Sequence, residues 1–467
     1  MKNIFRIFLV FILMIGVLCL GGCEDLLGAV GLKSDGAKYL VYESVGDGKC
    51  IVSGITNKEI EELNIPEISP AGERVVGIGE SAFEDCTSLG YLNIPDSVEY
   101  IERYAFRGCW GSFDMVVGKG LKRCGEGAFE NGSAGELFIS DLRAWCNIDF
   151  ADKYSNPMYD CYFVYADGSD EPISELVIPA GVTEIRDFAF VKATGFTDVT
   201  VGEDVKSIGY GAFAESTNYI TFTIGDSVES IAFGAFYDSE IDNLTLPFLG
   251  PDADDTENNY IGYAFGLERG ESMEYGLTTL EILKIEHIES DSLAGCCDWL
   301  RSITLPANLK RVDKEGLYLD YLKNIYISDL EAWTKIQFGE FPTMGFAEIQ
   351  IVADDGTAAP IVELVIGANG DVTSVSPYAF YGQKSIKTLI ISEGVTEIGE
   401  CAFNGCINIE SLYLPASLEK IDHWVFESIE NVYYAGTEEQ FMEQLEKGYG
   451  VEEALLSGTI HFNYVAE

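Results

Sequence analysis

Basic residues are scarce in this sequence. Lys and Arg total 29 against 77 Asp and Glu in 467 residues, which gives a formal net charge of −48. The negative electrostatic field of such a chain repels the phosphate backbone of nucleic acids, and no stripe of basic residues offsets it. We therefore predict that the chain binds no nucleic acid. The acidity favours solubility in a crowded setting. Attraction of Ca²⁺ or of basic partners is the alternative interpretation.

Histidine is nearly absent, which leaves few candidates for histidine-based catalysis or metal binding. The three histidines are His287, His423 and His461, and none lies beside a nucleophile motif. The sequence contains no G-x-S-x-G, no H-E-x-x-H and no P-loop. Its cysteines lack zinc-ligand spacing. We therefore predict that the protein is not an enzyme and uses no cofactor or metal.

Only one long apolar run is present. Ile7 to Leu20 follows Lys2 and Arg6 and ends in Leu20-Gly21-Gly22-Cys23. This segment resembles a bacterial lipoprotein signal, in which the cysteine carries two acyl chains and anchors the protein stably. The resemblance implies a signal peptide at 1–22, a lipid on Cys23 and a tether over 23–38. Ordinary secretion with Cys23 as a thiol is the alternative.

Internal repetition dominates the rest of the chain. In three sets, segments of the form I-x-x-x-A-F recur every 23 residues. Two weaker units carry Leu in place of Phe, and a truncated unit lies at 261–265. The anchor residues that begin these segments are Ile78, Ile101, Cys124, Ile185, Ile208, Ile231, Ile288, Val312, Val375, Ile398 and Ile421. The Ala-Phe pair is expected to form a tight helical turn with its Phe buried.

Each anchor is preceded by a strand signature, which in several units ends at proline. Examples are Leu92-Asn-Ile94-Pro95 and Leu412-Tyr-Leu414-Pro415. Period-two alternation places the aliphatic residues on one face, and proline ends the strand because it cannot donate a ladder hydrogen bond. One unit cannot bury its apolar face alone, so successive units are expected to stack into a solenoid with a continuous core.

This pattern resembles the BspA-type leucine-rich repeat family, whose repeat reads roughly L-x-x-L-x-I-P-x-x-V-x-x-I-G-x-x-A-F-x-x-C. Residues 89–109 match it nearly throughout, and the resemblance covers about residues 40–465. It implies an α/β leucine-rich repeat solenoid, with short parallel strands on one face and tight helical turns on the other. It further implies an adhesin-like protein of the bacterial cell surface.

Two segments interrupt the rhythm and resemble each other. The segment from Ile139 to Trp145 corresponds to that from Ile327 to Trp333, an offset of 327 − 139 = 188 residues. Each is expected to be an Asp-capped helical turn whose Trp plugs the core. The predicted regions are an N-terminal strand cap at 39–77, array 1 at 78–138, an insertion at 139–174, array 2 at 175–326, a second insertion at 327–362, array 3 at 363–430 and a C-terminal cap at 431–467.

Cysteines and one acidic loop offer further hypotheses. Cys86 and Cys109 occupy equivalent positions on adjacent units, and Cys146 and Cys161 share the first insertion. Either pair could form a disulfide in an oxidising compartment; small apolar packing is the alternative. Residues 251–259 (PDADDTENN) invite a calcium interpretation, but they lack the glycine and the final glutamate of an EF-hand. We favour a solvated loop.

Strand residues that point away from the core are mostly hydroxyl or amide side chains. They form the predicted ligand-binding surface: Tyr91, Asn93, Thr200, Thr221, Thr223, Asn243, Thr245, Ser302, Thr304, Ser411 and Tyr413. The acids are expected to crowd the loops and leave this strip nearly neutral; β-propensity alone is the alternative explanation. We predict a monomer, lipid-anchored outside the cytoplasmic membrane (in the outer membrane of a Gram-negative source), that binds an extracellular protein. A glycan-binding lipoprotein for nutrient capture is the alternative.

Overall fold

The computed structural model describes residues 36–109, 112–161, 163–169, 171–217, 219–273, 276–317, 319–339, 347–445 and 451–464. The signal segment, Cys23 and most of the predicted tether lie outside these residues. The chain forms two compact units, the first up to residue 218 with 235–239, the second comprising 219–234 and 240–467. No helix among the described residues is long and apolar enough to cross a bilayer.

The described residues of unit 1 contain fifteen strands and one α-helix. The strands are β1 Leu40–Gly46, β2 Lys49–Ile55, β3 Glu62–Asn64, β4 Arg74–Ile78, β5 Tyr91–Ile94, β6 Tyr100–Ile101, β7 Ser112–Val117, β8 Arg123–Cys124, β9 Ser133–Ile139, β10 Asp149–Phe150, β11 Phe163–Ala166, β12 Glu175–Val177, β13 Glu184–Ile185, β14 Asp198–Val201 and β15 Ser207–Ile208. The helix is α1, Leu142–Cys146, and short 3₁₀ turns lie at Gly36–Tyr39 and Lys153–Ser155.

In unit 2 the described residues contain the remaining strands and three α-helices. The strands are β16 Tyr219–Ile224, β17 Ser230–Ile231, β18 Ile241–Leu246, β19 Thr279–Ile282, β20 His287–Ile288, β21 Ser302–Leu305, β22 Arg311–Val312, β23 Asn324–Ile327, β24 Gln337–Phe338, β25 Glu348–Val352, β26 Ala358–Pro360, β27 Glu363–Ile366, β28 Ser374–Val375, β29 Thr388–Ile391, β30 Glu397–Ile398, β31 Ser411–Leu414, β32 Lys420–Ile421, β33 Asn431–Tyr434 and β34 Thr459–Phe462. The helices are α2 Leu330–Thr334, α3 Glu438–Leu445 and α4 Val451–Leu456, with a 3₁₀ turn at Ile261–Tyr263.

Successive coils pair in parallel, as a repeat solenoid requires. In unit 1 the longer strands form the order β3-β5-β7-β9-β11, and in unit 2 they form β16-β18-β19-β21-β23-β25 and β27-β29-β31-β33-β34. Most coils also contribute a second, short strand at the anchor, as in the parallel pairs β6-β8 and β30-β32. The anchors lie where the sequence predicts them, but the repeat pattern predicts only one strand per coil.

The predicted helical turns are not confirmed, because most of the described Ala-Phe segments form a ladder of turns. Around most of these Phe residues, the residues two before and two after have left-handed backbone, as at Ser81 (φ 55°) and Asp85 (φ 57°) around Phe83. The N–H groups of these three residues donate to carbonyls of the next coil, Phe83 N to Ala105 O at 2.7 Å for example. A helix would consume those donors internally, so the inter-coil bonds replace helix formation.

Phenylalanine columns fill the interior of each unit. Phe83, Phe106, Phe190 and Phe213 are fully buried, which confirms the prediction for these residues. Phe83 stacks on Phe106 with ring centroids 5.0 Å apart, and Phe190 on Phe213 at 5.3 Å. In unit 2 the rings of Phe380 and Phe403 are 5.5 Å apart. The ring spacing is close to that of neighbouring strands, so the columns follow the coils.

The two interruptions have the same construction. Asp141 caps α1 by accepting from Ala144 N at 3.0 Å, and Asp329 caps α2 in the same way. The tryptophans that follow, Trp145 and Trp333, are 1% and 2% exposed. The predicted core-plug role of both is therefore confirmed.

Neither predicted disulfide is present in the structure. Cys86, Cys109, Cys146 and Cys161 are all buried free thiols. Cys109 Sγ points at the carbonyl of Phe83, 3.3 Å away, and Cys161 Sγ at that of Phe163, also 3.3 Å away. Each sulfur is thus satisfied by backbone rather than by its proposed partner, as the packing interpretation requires.

Candidate functional site

The outward rows of the unit 1 sheet carry Tyr91 and Asn93. Both residues lie half-buried on β5, where Tyr91 pairs across the ladder with Glu62 on β3 and Asp114 on β7. Burial, with the neighbouring carboxylates of Asp114 and Glu62, raises the pKa of Tyr91 to about 12. Burial also raises the pKa of Asp114. This strip carries acids, so the prediction of a nearly neutral surface is wrong here.

A second outward patch in unit 1 contains Thr200. It lies exposed on β14 and pairs with Val177 of β12, whose side chain is 52% exposed. The neighbouring pair in the ladder is Glu175 with Asp198. This two-strand patch is therefore acidic along one row.

In unit 2 the sheet register brings six of the predicted residues together. Two parallel rows result, Thr221, Asn243, Thr279, Ser302, Asn324 and Glu348 in the first, and Thr223, Thr245, Glu281, Thr304, Tyr326 and Gln350 in the second. We call them the polar rows. Two of these twelve residues are acids, so the strip is nearly neutral in this unit.

Hydrogen bonds connect members of the polar rows across the strands. Thr245 Oγ1 donates to Glu281 Oε2 at 3.0 Å, and Gln350 Nε2 donates to Asn324 Oδ1 at 2.8 Å. Asn324 in turn donates to Ser302. Thr279 and Glu281 could not be predicted from the repeat pattern, because the preceding unit is truncated at Phe265 and the strand position is no longer set by the period.

Ser411 and Tyr413 belong to a different outward face of unit 2, which is aromatic. The register of β27, β29, β31, β33 and β34 aligns Val365, Ile390, Tyr413, Tyr433 and His461 in one row, the C-terminal aromatic row. Tyr413 and Tyr433 stack at 4.6 Å, as do Tyr433 and His461.

Tyr464 packs against the C-terminal aromatic row at a ring distance of 5.1 Å from Tyr413. Sequence reasoning found only Tyr413 because the later strands lack the L-x-I-P signature. An outward aromatic at the second outward position of each strand was the signal that could have revealed Tyr433.

The acidic loop at 251–259 turns its carboxylates onto its own backbone. Asp252 Oδ1 accepts from the N–H groups of Asp254 and Asp255 at 2.9 Å each, and Asp255 Oδ1 accepts from Glu257 and Asn258. In the described part of the chain no three His, Cys, Asp or Glu side chains are grouped as metal ligands would be.

Comparison with known proteins identifies the repeats. The BspA type leucine rich repeat region matches residues 55–144, 168–250, 273–354 and 361–447, in six copies. The match is to a repeat scaffold and to no catalytic family. No curated protein matches the chain.

Several solved structures are similar to this one. A leucine-rich repeat protein from Bacteroides ovatus is 17% identical, covers 91% of this chain and 98% of its own, and has a TM-score of 0.32. A leucine rich cell surface protein from Faecalibacterium prausnitzii is 19% identical over 88% and 97%, with a TM-score of 0.31. The pneumococcal vaccine antigen PcpA is 16% identical over 91% and 97%, with a TM-score of 0.27.

The family match covers well over half of the chain, and the parallel coils and phenylalanine columns are the structure that such repeats build. The chain therefore belongs to the BspA-type leucine-rich repeat family.

Proposed function

We propose that this protein is a cell-surface binding protein that holds an extracellular protein partner on the outward faces of its strands. The observation that carries the proposal is the C-terminal aromatic row with Tyr464 beside it. Tyrosine is enriched at the centre of protein interfaces because it offers a large apolar contact with a polar tip. Stacking at 4.6 Å fixes the rings in advance, which lowers the entropy lost on binding.

The polar rows of unit 2 supply the other half of such a surface. They present hydroxyl and amide groups that can donate and accept, and they are nearly free of net charge. Family membership supports the proposal, because leucine-rich repeats generally mediate protein interactions. Tyr91, Asn93 and Thr200 are proposed as further contacts in unit 1.

The test is binding of the soluble chain from residue 24 to immobilised fibronectin, fibrinogen, laminin and collagen. Tyr413→Ala with Tyr433→Ala is expected to weaken saturable binding at least tenfold. Tyr237→Ala is the matched control, because Tyr237 is 51% exposed but lies outside the strands. Absence of saturable binding to all four proteins would count against the proposal, as would equal binding by the double variant.

Lipid anchoring through Cys23 is a separate part of the proposal, supported by the sequence around it. Two acyl chains hold a protein on a membrane stably, whereas one does not. We expect cells that express the chain to incorporate labelled palmitate into it, and Cys23→Ala to abolish the label and release the protein into the medium. Retention of the label in Cys23→Ala would refute this anchor.

A further inference from the structure

An exposed aromatic pair lies in unit 2, outside the strands. Trp299 and Tyr321 stack with ring centroids 5.3 Å apart and an interplanar angle of 14°, and each is 53% exposed. They occupy equivalent positions on two consecutive coils, directly before the buried Leu300 and Leu322. Several other coils carry a non-aromatic residue at this position, such as Ser88, Asn408 and Gly276.

The backbone holds this pair rigidly. Leu300 N donates to Cys297 O at 2.9 Å and Leu322 N to Leu319 O at 3.1 Å, so each aromatic residue lies inside a hydrogen-bonded turn. On the preceding coil Gly276 leaves room for the indole, since a Cβ there would lie 3.0 Å from Trp299 Cδ1. The two rings are therefore a preformed feature of the surface rather than loose side chains.

Charged groups of both signs flank the pair. Asp298 and Asp320 directly precede the two aromatic residues, and Arg301 and Lys323 follow two positions later; all four are exposed. The coils are in register here, because Arg301 O accepts from Lys323 N at 2.8 Å. The two acidic and two basic side chains give this region no net charge, although the whole chain has a net charge of −48.

From these features we propose that Trp299 and Tyr321, with Asp298, Asp320, Arg301 and Lys323, form a binding site for a neutral oligosaccharide. The apolar face of a sugar ring matches an aromatic platform. Carboxylates accept from sugar hydroxyls, and Arg and Lys donate to them. The local balance of charge favours an uncharged ligand, and the net charge of the chain disfavours an acidic one.

The size of the platform also favours a small ligand. Two aromatic side chains that are half exposed present about 200 Å², against about 800 Å² that each partner buries in a standard protein interface. That area fits one or two sugar rings. Neither aromatic residue lies on a strand, and none of the six residues belongs to the polar rows or to the C-terminal aromatic row.

The experiment is to titrate the purified mature chain with cellohexaose, xylohexaose and mannohexaose. Binding is measured by calorimetry and by tryptophan fluorescence. Saturable binding of at least one is expected, with no binding of acidic polygalacturonate. Trp299→Ala and Tyr321→Ala should each weaken binding about tenfold or more, equivalent to about 1.4 kcal/mol. Trp424→Ala is the matched control, because Trp424 is also 53% exposed. This variant should bind the oligosaccharide normally.

Three results would overturn this site. One is the absence of saturable binding to all three neutral oligosaccharides by a folded chain. A second is binding that is unchanged in both Trp299→Ala and Tyr321→Ala, or confined to polygalacturonate. The third is a loss of matrix-protein binding in Trp299→Ala without any sugar binding, which would assign the pair to a protein partner. None of these results bears on the Tyr413 and Tyr433 variants, so the two proposals can fail separately.

Discussion

At the scale of single residues, the two buried tryptophans differ in one hydrogen bond. Trp145 Nε1 donates to Ala189 O at 2.8 Å, and Asn156 Nδ2 also donates to this carbonyl at 3.0 Å. Trp333 Nε1 donates to Ala379 O at 2.7 Å, and no second donor to that carbonyl is found among the described residues. Removing the indole N–H therefore orphans a buried carbonyl only in the second case.

We predict that Trp333→Phe lowers the free energy of unfolding by about 2–3 kcal/mol and Trp145→Phe by about 1–2 kcal/mol, since an unsatisfied buried acceptor adds its desolvation cost. The measurement is urea denaturation, with the exposed Trp424→Phe as a control near zero. A larger loss in Trp145→Phe would contradict the hydrogen-bond assignment.

The buried cysteines yield a second prediction. Burial raises the pKa of Cys86 to about 11 and that of Cys109, Cys146 and Cys161 to about 12. Thiolate is the reactive form, so iodoacetamide at pH 8 should leave these thiols unmodified in the folded chain and label them all after denaturation. Mass spectrometry measures the labelling. If either cysteine pair stays unlabelled after denaturation without a reductant, the thiols of that pair are not free.

Residues that repeat in register could be predicted from the sequence, and those outside the register could not. The buried Phe83 and Phe106 follow from a 23-residue period. Trp299 and Tyr321 meet across 22 residues, in the coils where Leu replaces Phe. Their contact depends on how the two coils stack, and no local sequence pattern predicts that stacking.

At the scale of elements, the turn ladder depends on left-handed backbone. Gly405 has φ 80°, and a Cβ there would lie 3.0 Å from the Cα of Gly382 on the preceding coil. Gly370 has φ 77° with nothing within 4 Å of an added Cβ. Alanine substitutions at these two glycines therefore separate the free-energy cost of a positive φ from the cost of steric crowding against the neighbouring coil.

Gly370→Ala is expected to cost about 1–2 kcal/mol through the dihedral alone, and Gly405→Ala to cost more, because the neighbouring coil must also move. Chemical denaturation of both variants measures the difference. Equal losses would mean that the coils can separate without penalty.

The acids on the unit 1 sheet predict a pH dependence. Burial raises the pKa of Asp114, and burial together with Asp114 raises that of Glu136. The folded state therefore holds these protons more tightly, so their destabilising effect is greatest at neutral pH and declines as pH falls towards the ordinary Asp value of about 4.

Asp114→Asn should consequently raise the melting temperature at pH 7, and the gain should shrink on acidification. Thermal melts between about pH 4 and pH 7 measure it, with Asp149→Asn, an exposed residue on β10, as the control. A gain that is constant across this range would exclude a titrating Asp114.

Strands could be predicted wherever alternation spans four residues, as on β5 and β31. The two-residue strands at the anchors are too short to show a period. The turns were predicted as helical because Ser81 and Tyr104 carry left-handed backbone without being glycine. Only the bonds to the next coil make that conformation favourable.

At the scale of the whole molecule, charge acts through repulsion more than through ion pairs. Several exposed pairs link neighbouring coils at a separation of 23 residues, including Lys122 with Glu99 and Lys420 with Glu397. Exposed pairs of this kind contribute little each. The net charge of −48 opposes folding by self-repulsion.

We therefore expect the melting temperature to rise as ionic strength increases from about 0.01 M to about 0.15 M, where the screening length falls from about 30 Å to about 8 Å. Differential scanning fluorimetry measures this, with tetramethylammonium chloride beside sodium chloride to separate screening from specific cation binding. A fall in melting temperature would show that the ion pairs outweigh the repulsion.

The inter-coil bonds at Ser81, Phe83 and Asp85 are made by backbone atoms and recur at Tyr104, Phe106 and Gly108. Because these bonds use main-chain atoms, the docking of one unit onto the next depends little on which side chains the neighbouring unit carries. Unequal crossing-over within the gene could thus insert or excise whole 23-residue units without breaking the register. The number of repeats can then change by duplication while the joints between them stay intact.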